Sequence, residues 1–298
     1  MNKTFYIDAP AKININLFVK EKQKNGLHLL ESDICFVELT DSIFFRLSEE
    51  DVFLQNNLIK QFLINPHDNL ILNALNKFRK LTGWNKKFSI YLKKKIPIGA
   101  GLGGGSADAA ATLILLRKLY NYETKVNKLS KNDLFEIGKS IGSDVPACIE
   151  SKDLKMKGYG DEIIRNKMPY NFYFLIINPN IKLSTKDVFN HFEKSSDKKI
   201  QKTQMFFKKI IIYNSLVSSA VYLEPEILNI LDGFKKSKSI VAYGMTGSGS
   251  SCFGIFNNLS DIENSLKYFK KEYFTWFGKK KDYNLNRVVY SKVLENKY

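Results

Sequence analysis

The sequence predicts an α+β chain folded as two domains, and three observations carry that prediction. Apolar residues alternate with polar ones at Ile13, Ile15 and Leu17, and again at Phe88, Ile90 and Leu92, which is the period of a strand. Two other stretches, residues 69–81 and the run SADAAATLILLRKLYN from Ser106, have the spacing and composition of helices. A second block of strand and helix patterns opens near residue 171, with a boundary expected between 160 and 170. The predicted domains are residues 1–163 and 164–298.

Taken in order, TFYIDAPAKININLFV (4–19) reads as a strand followed by a second extended segment. Asn25 and Gly26 signal a turn, and LHLLESDICFVEL (27–39) is strand-like. Residues 69–81 space Leu70, Leu72, Ala74, Leu75, Phe78 and Leu81 for a helix, and Gly83 stops it. The strand FSIYL (88–92) leads into IPIGAGLGGGSADAA (96–110), and Ser106 is placed to cap the helix that follows. Ser130 and Asp133 form a capping box for a helix running to Ile141, with Gly142 at its end. The second block contains a strand in NFYFLIINP (171–179) and helices at 184–194, 224–235 and 260–273. The glycine-rich run IVAYGMTGSGSSCFGIF (240–256) lies among them, and RVVYSKV (287–293) is the last strand.

A hydrophobic content of 44% and an aromatic content of 13% exclude a disordered chain. No apolar run reaches the ~20 residues of a membrane span, and the N-terminus lacks the apolar stretch of a signal peptide. Cys35, Cys148 and Cys252 are odd in number, scattered and without metal spacing, so they read as buried or free thiols in a reducing, cytoplasmic compartment. The net charge of +16 raises nucleic acid as a partner, but the lysines are spread along the whole chain. The one basic, aromatic stretch, KKEYFTWFGKKKDYNLNR (270–287), reads as a solvated helix and turn, and an anionic small substrate accounts for the charge equally well.

The glycine cluster decides the class of chemistry. A Walker-type loop ends in Gly-Lys-Ser/Thr, whereas Gly105 is followed by Ser106 and Ala107. Gly99, Gly101 and Gly104 match the dinucleotide fingerprint, but the acidic residue at a suitable distance, Glu123, follows a helix and not a second strand. The remaining reading is an anion cradle without a lysine of its own. Backbone N–H groups from residues 101–107 would point inward, and the following helix would aim its positive end at the same place. A tight turn with close strand–helix packing requires fewer glycines than stand here.

APAKININL (9–17), PIGAGLGGGSADAA (97–110), GSDVPACI (142–149) and MTGSGSSCFGIF (245–256), in that order, resemble the GHMP kinases. The form GLGGGSADAA looks like the branch that acts on 4-diphosphocytidyl-2-C-methyl-D-erythritol, and NPNIKLSTKDVF (178–189) extends the likeness into the second half. The resemblance implies a two-domain fold with a ribosomal-S5-like ATP-binding domain and a ferredoxin-like α/β sandwich, and an active site in the cleft between them. It implies transfer of the γ-phosphate of ATP, with Mg2+, to the C2 hydroxyl of that small-molecule substrate. Neither nucleic acid nor membrane is expected as a partner, and the enzyme is expected to be a monomer or homodimer.

By the same resemblance Asp144 is the base and Lys12 the cation beside it. A carboxylate is ionised at neutral pH and can accept a hydroxyl proton; a helix cap is the plainer role for Asp144. ATP falls to Pro97, Ile98, Gly99, Ala100, Gly101, Leu102, Gly103, Gly104, Gly105, Ser106 and Ala107. Asn14, His28 and Thr185 fall to the acceptor, with His28 reading the cytosine ring. The second loop, at Gly247 and Gly249, approaches the phosphates, packs on the first loop, or is only a tight strand-to-helix turn. Asp108 faces away from the phosphates or lies near magnesium. Leu27 stands where the family commonly has tyrosine, Ser151 where it has glycine, and Asp161 where it has glutamate. The rival readings are a homoserine- or mevalonate-type kinase and a basic RNA-binding protein.

Overall fold

A computed structural model of the chain describes residues 3–24, 26–57, 69–124, 127–168, 172–194, 205–207, 210–283 and 289–290. Asn25 of the expected turn and most of the expected strand at 287–293 lie outside these residues.

A large mixed sheet is organised around one long strand, β3 (His28–Leu47). β1 (Thr4–Asn14) pairs antiparallel along most of β3, from Thr4 opposite Arg46 to Asn14 opposite Ile34, with a register shift between Pro10 and Lys12. The other edge of β3 is shared: β5 (Phe88–Lys94) takes residues 42–47 and β6 (Leu154–Gly158) takes residues 30–34. β2 (Asn16–Lys22) pairs with the start of β3, and β4 (Val52–Asn57) lies parallel to β5. β7 (Glu162–Arg165) follows β6 antiparallel.

The helices of the first half cover this sheet. α1 (Leu70–Thr82) begins where the Asn69 side chain accepts from Ile71 N at 2.9 Å, and ends at Gly83, whose φ of 69° is the left-handed C-cap expected of it. α3 (Lys131–Ile141) has the predicted capping box and stops at Gly142. α2 (Gly104–Glu123) and α4 (Val145–Glu150) complete the layer, and Phe36, Phe45, Phe78, Leu113 and Ile149 are fully buried between helices and sheet.

A smaller antiparallel sheet has the order β11 (Ala242–Met245), β12 (Cys252–Phe256), β8 (Tyr173–Asn178) and β13 (Phe274–Lys279). It packs against α5 (Thr185–Lys194), α6 (Val217–Leu223), α7 (Glu226–Lys236) and α8 (Leu259–Ser265) through Leu175, Ile177, Ile230 and Phe234. The halves are stitched together by β10 (Ile210–Asn214), which runs parallel to β2, with β9 (Met205–Phe207) beside it. β14 (Val289–Tyr290) returns to pair with β1.

Three expectations are corrected. Ser106 does not cap α2: Gly103 is the N-cap and Ser106 is the third helical residue, so glycine backbone forms the helix mouth with no side chain across it. The helix expected at 260–273 ends at Ser265, followed by a short 3-10 turn over Leu266–Tyr268. The basic, aromatic stretch is not a solvated helix; its middle is β13, with Phe274 and Trp276 turned inward at strand period against the second core. α6 was not anticipated. Cys35, Cys148 and Cys252 are buried and in no disulfide, and no helix among the described residues is long and apolar enough to cross a membrane.

Candidate functional site

The two glycine loops meet over one cleft of about 590 Å³. One wall is the first loop and the mouth of α2, the floor is β1, and the opposite rim carries α5 and the second loop. Of the residues expected to meet ATP, Pro97, Ile98, Gly99, Ala100, Gly101, Gly103, Gly104, Gly105 and Ser106 line the cleft. Leu102 and Ala107 are buried in the two cores instead, where they anchor the loop.

The first loop is held by backbone. Lys12 N donates to Leu102 O at 3.0 Å, Ser251 N to Ala100 O at 3.1 Å, and Leu183 N to Gly99 O at 3.2 Å. Gly101, at φ 76°, sits so close to the second loop that a Cβ there would lie 2.3 Å from Thr246 O. Thr246 Oγ1 in turn accepts from Asn14 N at 2.9 Å. The second loop is a strand-to-strand connection that buttresses the first, although Gly247 and Ser248 also reach the cleft. Asn214, which the sequence reading passed over, clamps it by donating to Met245 O at 2.9 Å and Gly247 O at 2.8 Å.

Lys12 and Asp144, far apart in the chain, form an ion pair at 3.2 Å in the cleft. Asp144 occupies the N-cap position of α4 but makes no side-chain cap, so the plainer role is not the one its carboxylate performs. Its side chain is 29% exposed and Lys12 only 5%: the acid faces the open cleft and the ammonium lies behind it. Asn14 accepts from Lys12 Nζ and donates from Nδ2 to Ser32 Oγ at 2.8 Å, so its carboxamide is oriented by both ends.

Beneath the mouth of α2 lies a buried cation that the sequence reading missed. Lys94 donates to Asp41 Oδ2 and Asp108 Oδ2, each at 2.6 Å, and all three side chains are at most 3% exposed. Asp41 Oδ1 also accepts from Ile96 N at 2.9 Å, tying the start of the glycine loop to β3. Burial alone would strip the proton from Lys94, but Asp108 and Asp41 outweigh it and raise its pKa. Burial also pushes the Asp108 carboxyl well above the usual carboxylate range, against the pull of Lys94 and with the Asp41 charge adding to it. The signal was available: continuing the Phe88, Ile90, Leu92 alternation one step turns Lys94 inward.

On the acceptor rim, Thr185 Oγ1 lies 2.8 Å from Ser248 Oγ. Phe189, not anticipated as a site residue, lines the cleft with its ring centroid 5.6 Å from that of His28. His28 itself is not among the residues that line the cleft; its Nδ1 lies 3.0 Å from Lys20 O and its Nε2 3.1 Å from Glu193 Oε1, so both ring nitrogens are engaged. Leu27 is exposed.

A small-molecule cleft walled by uncapped helix-mouth amides, with a cation-backed carboxylate facing it, suits phosphoryl transfer to a hydroxyl. Comparison with known proteins agrees. The GHMP kinases N terminal domain matches residues 69–152 and the GHMP kinases C terminal domain matches residues 209–274. The 4-diphosphocytidyl-2-C-methyl-D-erythritol kinase of Ehrlichia canis (strain Jake) is 34% identical over 285 residues, covering 91% of this chain and 96% of that one. The chain belongs to the 4-diphosphocytidyl-2-C-methyl-D-erythritol kinase family of the GHMP kinases. The kinase of that name from Anaplasma phagocytophilum (strain HZ) is 32% identical, with 92% of each chain covered. A crystal structure of 4-(cytidine 5'-diphospho)-2C-methyl-D-erythritol kinase superposes with a TM-score of 0.73 at 24% identity, over 92% of this chain and 98% of that one. The mevalonate kinase of Methanococcus jannaschii shares the fold, at a TM-score of 0.64 and 18% identity over 94% of this chain and 98% of that one. GHMP kinases take ATP as phosphate donor, so ATP is the co-substrate of this kinase. The homoserine- or mevalonate-type alternative is not favoured.

Proposed function

We propose that the chain transfers the γ-phosphate of ATP to the C2 hydroxyl of 4-diphosphocytidyl-2-C-methyl-D-erythritol, on the non-mevalonate route to isoprenoid precursors and in the cytoplasm. The observation that carries the mechanism is the Lys12–Asp144 pair at 3.2 Å in the cleft that the mouth of α2 also lines. The proposed domains, residues 1–163 and 164–298, both supply it: Lys12, Asp144 and the first loop from one, Thr185 and Ser248 from the other.

In this reading the phosphate tail lies on the amides at the start of α2, where the helix dipole favours negative charge. Asp144 accepts the hydroxyl proton as the new O–P bond forms and the bond to ADP breaks. Lys12 holds the carboxylate in place and offsets its repulsion of the incoming phosphate. Asn14, fixed between Lys12 and Ser32, positions Lys12. Phe189 offers a face for the cytosine, in place of the tyrosine that Leu27 replaces, and His28 borders the same end.

Magnesium fits the residues present. Among the described residues no group of three or more His, Cys, Asp or Glu could hold a metal. Asp108, however, is a lining residue of the cleft, and its buried Oδ1 has no hydrogen-bond partner. Magnesium keeps several waters and commonly binds through one or two carboxylates plus substrate phosphates. Asp108 and the Ser106 hydroxyl would hold it, and it would neutralise phosphate charge.

The test is a phosphate-transfer assay offering the cytidyl acceptor, mevalonate and homoserine, repeated with Asp144→Asn. Only the first acceptor should turn over. The variant should lose at least ~10²-fold in kcat while binding ATP as before. Full activity in the variant rules out Asp144 as the base.

A further inference from the structure

The ammonium groups of Lys12 and Lys94 at the cleft are already spent on carboxylates, which leaves the outer phosphates of a polyphosphate to another lysine. Lys12 is committed to Asp144, and Lys94 to Asp41 and Asp108. Two ammonium groups against three carboxylates, Asp41 being buried behind Lys94 and not on the cleft wall, leave that set with no surplus positive charge. Helix-mouth amides contribute only about half a unit of positive charge, and a nucleoside triphosphate brings several negative charges. Among the described residues that line the cleft stands one further cation, Lys182, on the connection between β8 and α5. Lys182 is exposed, and no ion pair joins it among the described residues.

Its position is built rather than incidental. A Cβ added to Gly99 would lie 2.5 Å from Lys182 Cγ and 3.3 Å from its Cδ and Cε, so the aliphatic stem is laid along the bare backbone of the loop. The neighbouring peptide is pinned to the same glycine, since Leu183 N donates to Gly99 O at 3.2 Å. On the other side, Ile181 O accepts from Ser250 Oγ, so the connection is held by both glycine loops at once. A lysine whose stem is packed and whose head has no counter-ion is poised to meet an anion in the cleft.

We propose that Lys182 is the lysine the glycine cradle lacks in its own sequence: its ammonium pairs with the outer phosphates of ATP lying over residues 99–106. A distant segment thereby supplies what an in-line lysine supplies in a Walker-type loop. The inference rests on reading the cleft as the ATP site and adds to it the group that recognises the length of the phosphate tail.

Titration calorimetry of the full chain with ATP and with AMP, for the wild type, Lys182→Ala and Lys182→Arg, tests it without the acceptor. Failure of the acceptor reading would show separately, as absence of wild-type turnover. Loss of one charge-assisted contact should weaken ATP binding about tenfold in Lys182→Ala. AMP should change by less than about twofold, because it lacks the outer phosphates. The salt dependence of ATP binding should flatten, and Lys182→Arg should restore most of the affinity. Equal weakening of ATP and AMP would mean that Lys182 only props the loop and would overturn the proposal. Unchanged ATP binding, or a rise confined to the KM of the cytidyl acceptor, would overturn it as well.

Discussion

Gly101→Ala tests whether contact between the two glycine loops sets the geometry of the cleft. The added methyl would sit 2.3 Å from Thr246 O and 2.9 Å from Gly249 O, both backbone atoms that cannot swing aside. A carbon–oxygen contact is comfortable at about 3.3 Å, so the loops must part by about 1 Å. Holding alanine at φ 76° adds roughly 1–2 kcal/mol. Parting the loops strains the Ser251 N to Ala100 O and Thr246 Oγ1 to Gly101 O bonds, each worth about 1 kcal/mol. The expected loss of stability is therefore about 2–4 kcal/mol. A reacting group displaced by about 1 Å can cost ~10²-fold in rate, and the amides on this loop should shift by that amount. Urea unfolding and a coupled ADP-release assay read the two quantities. Gly83→Ala is the control: its φ is 69° but nothing lies within 4 Å of the added atom. It should lose only that backbone cost of about 1–2 kcal/mol and no activity. The reasoning is refuted if Gly101→Ala keeps kcat/KM within about threefold of the wild type, or loses no more stability than the control.

Three further outcomes follow from the same contacts. Lys94→Met strands two buried carboxylates and should cost about 3–5 kcal/mol. Asp108, whose carboxyl burial already raises, then holds its proton more tightly still without the Lys94 charge, so the stability of the variant should fall as pH rises above the ordinary carboxylate range. The corresponding wild-type contribution from Lys94, whose pKa is raised, should persist below the ordinary lysine pKa; parallel urea curves from pH 5 to 8 would contradict the assignment. Phe189→Ala should raise the KM for the cytidyl acceptor about tenfold or more, the worth of one stacked base, with the KM for ATP unchanged in steady-state kinetics. Asp51 is drawn down to about 2, chiefly by the paired contact of Arg79 at 2.8 Å, with Phe88 N also donating to it. Its contribution is present above the usual aspartate pKa and is lost as pH falls toward 2, so Asp51→Asn should flatten the acid limb of the stability curve by about 1 kcal/mol.

Helix ends and strand faces were legible because they are written locally. Asn69, Gly83, the Ser130–Asp133 box and Gly142 each do their work within a turn of where they stand. The alternation of β5 likewise declares its buried face at Phe88, Ile90 and Leu92, although the same period carried one step further to reach Lys94 was missed. Misreadings arose where the local signal was outweighed. Residues 274–279 carry charges on both sides, yet pairing with β8 and burial of Trp276 make them a strand. Ser106 has the chemistry of a cap, but Gly103 and Gly104 let the helix begin earlier.

The sequence by itself determined the family, because the motifs that carry it are residue types at short spacings, and through that resemblance it proposed the bare glycines before a helix as the phosphate cradle and the aspartate before Val145 and Pro146 as the base. Resemblance had already singled out Lys12, and only the tertiary structure set Lys94 and Lys182 apart. Lys12, Lys94 and Lys182 are three among 46 basic residues. What separates them is a carboxylate 3.2 Å from the first, two carboxylates at 2.6 Å from the second, and the backbone of Gly99 under the third. A charge gains its role from the partner and the dielectric around it, and both are brought by segments far away along the chain.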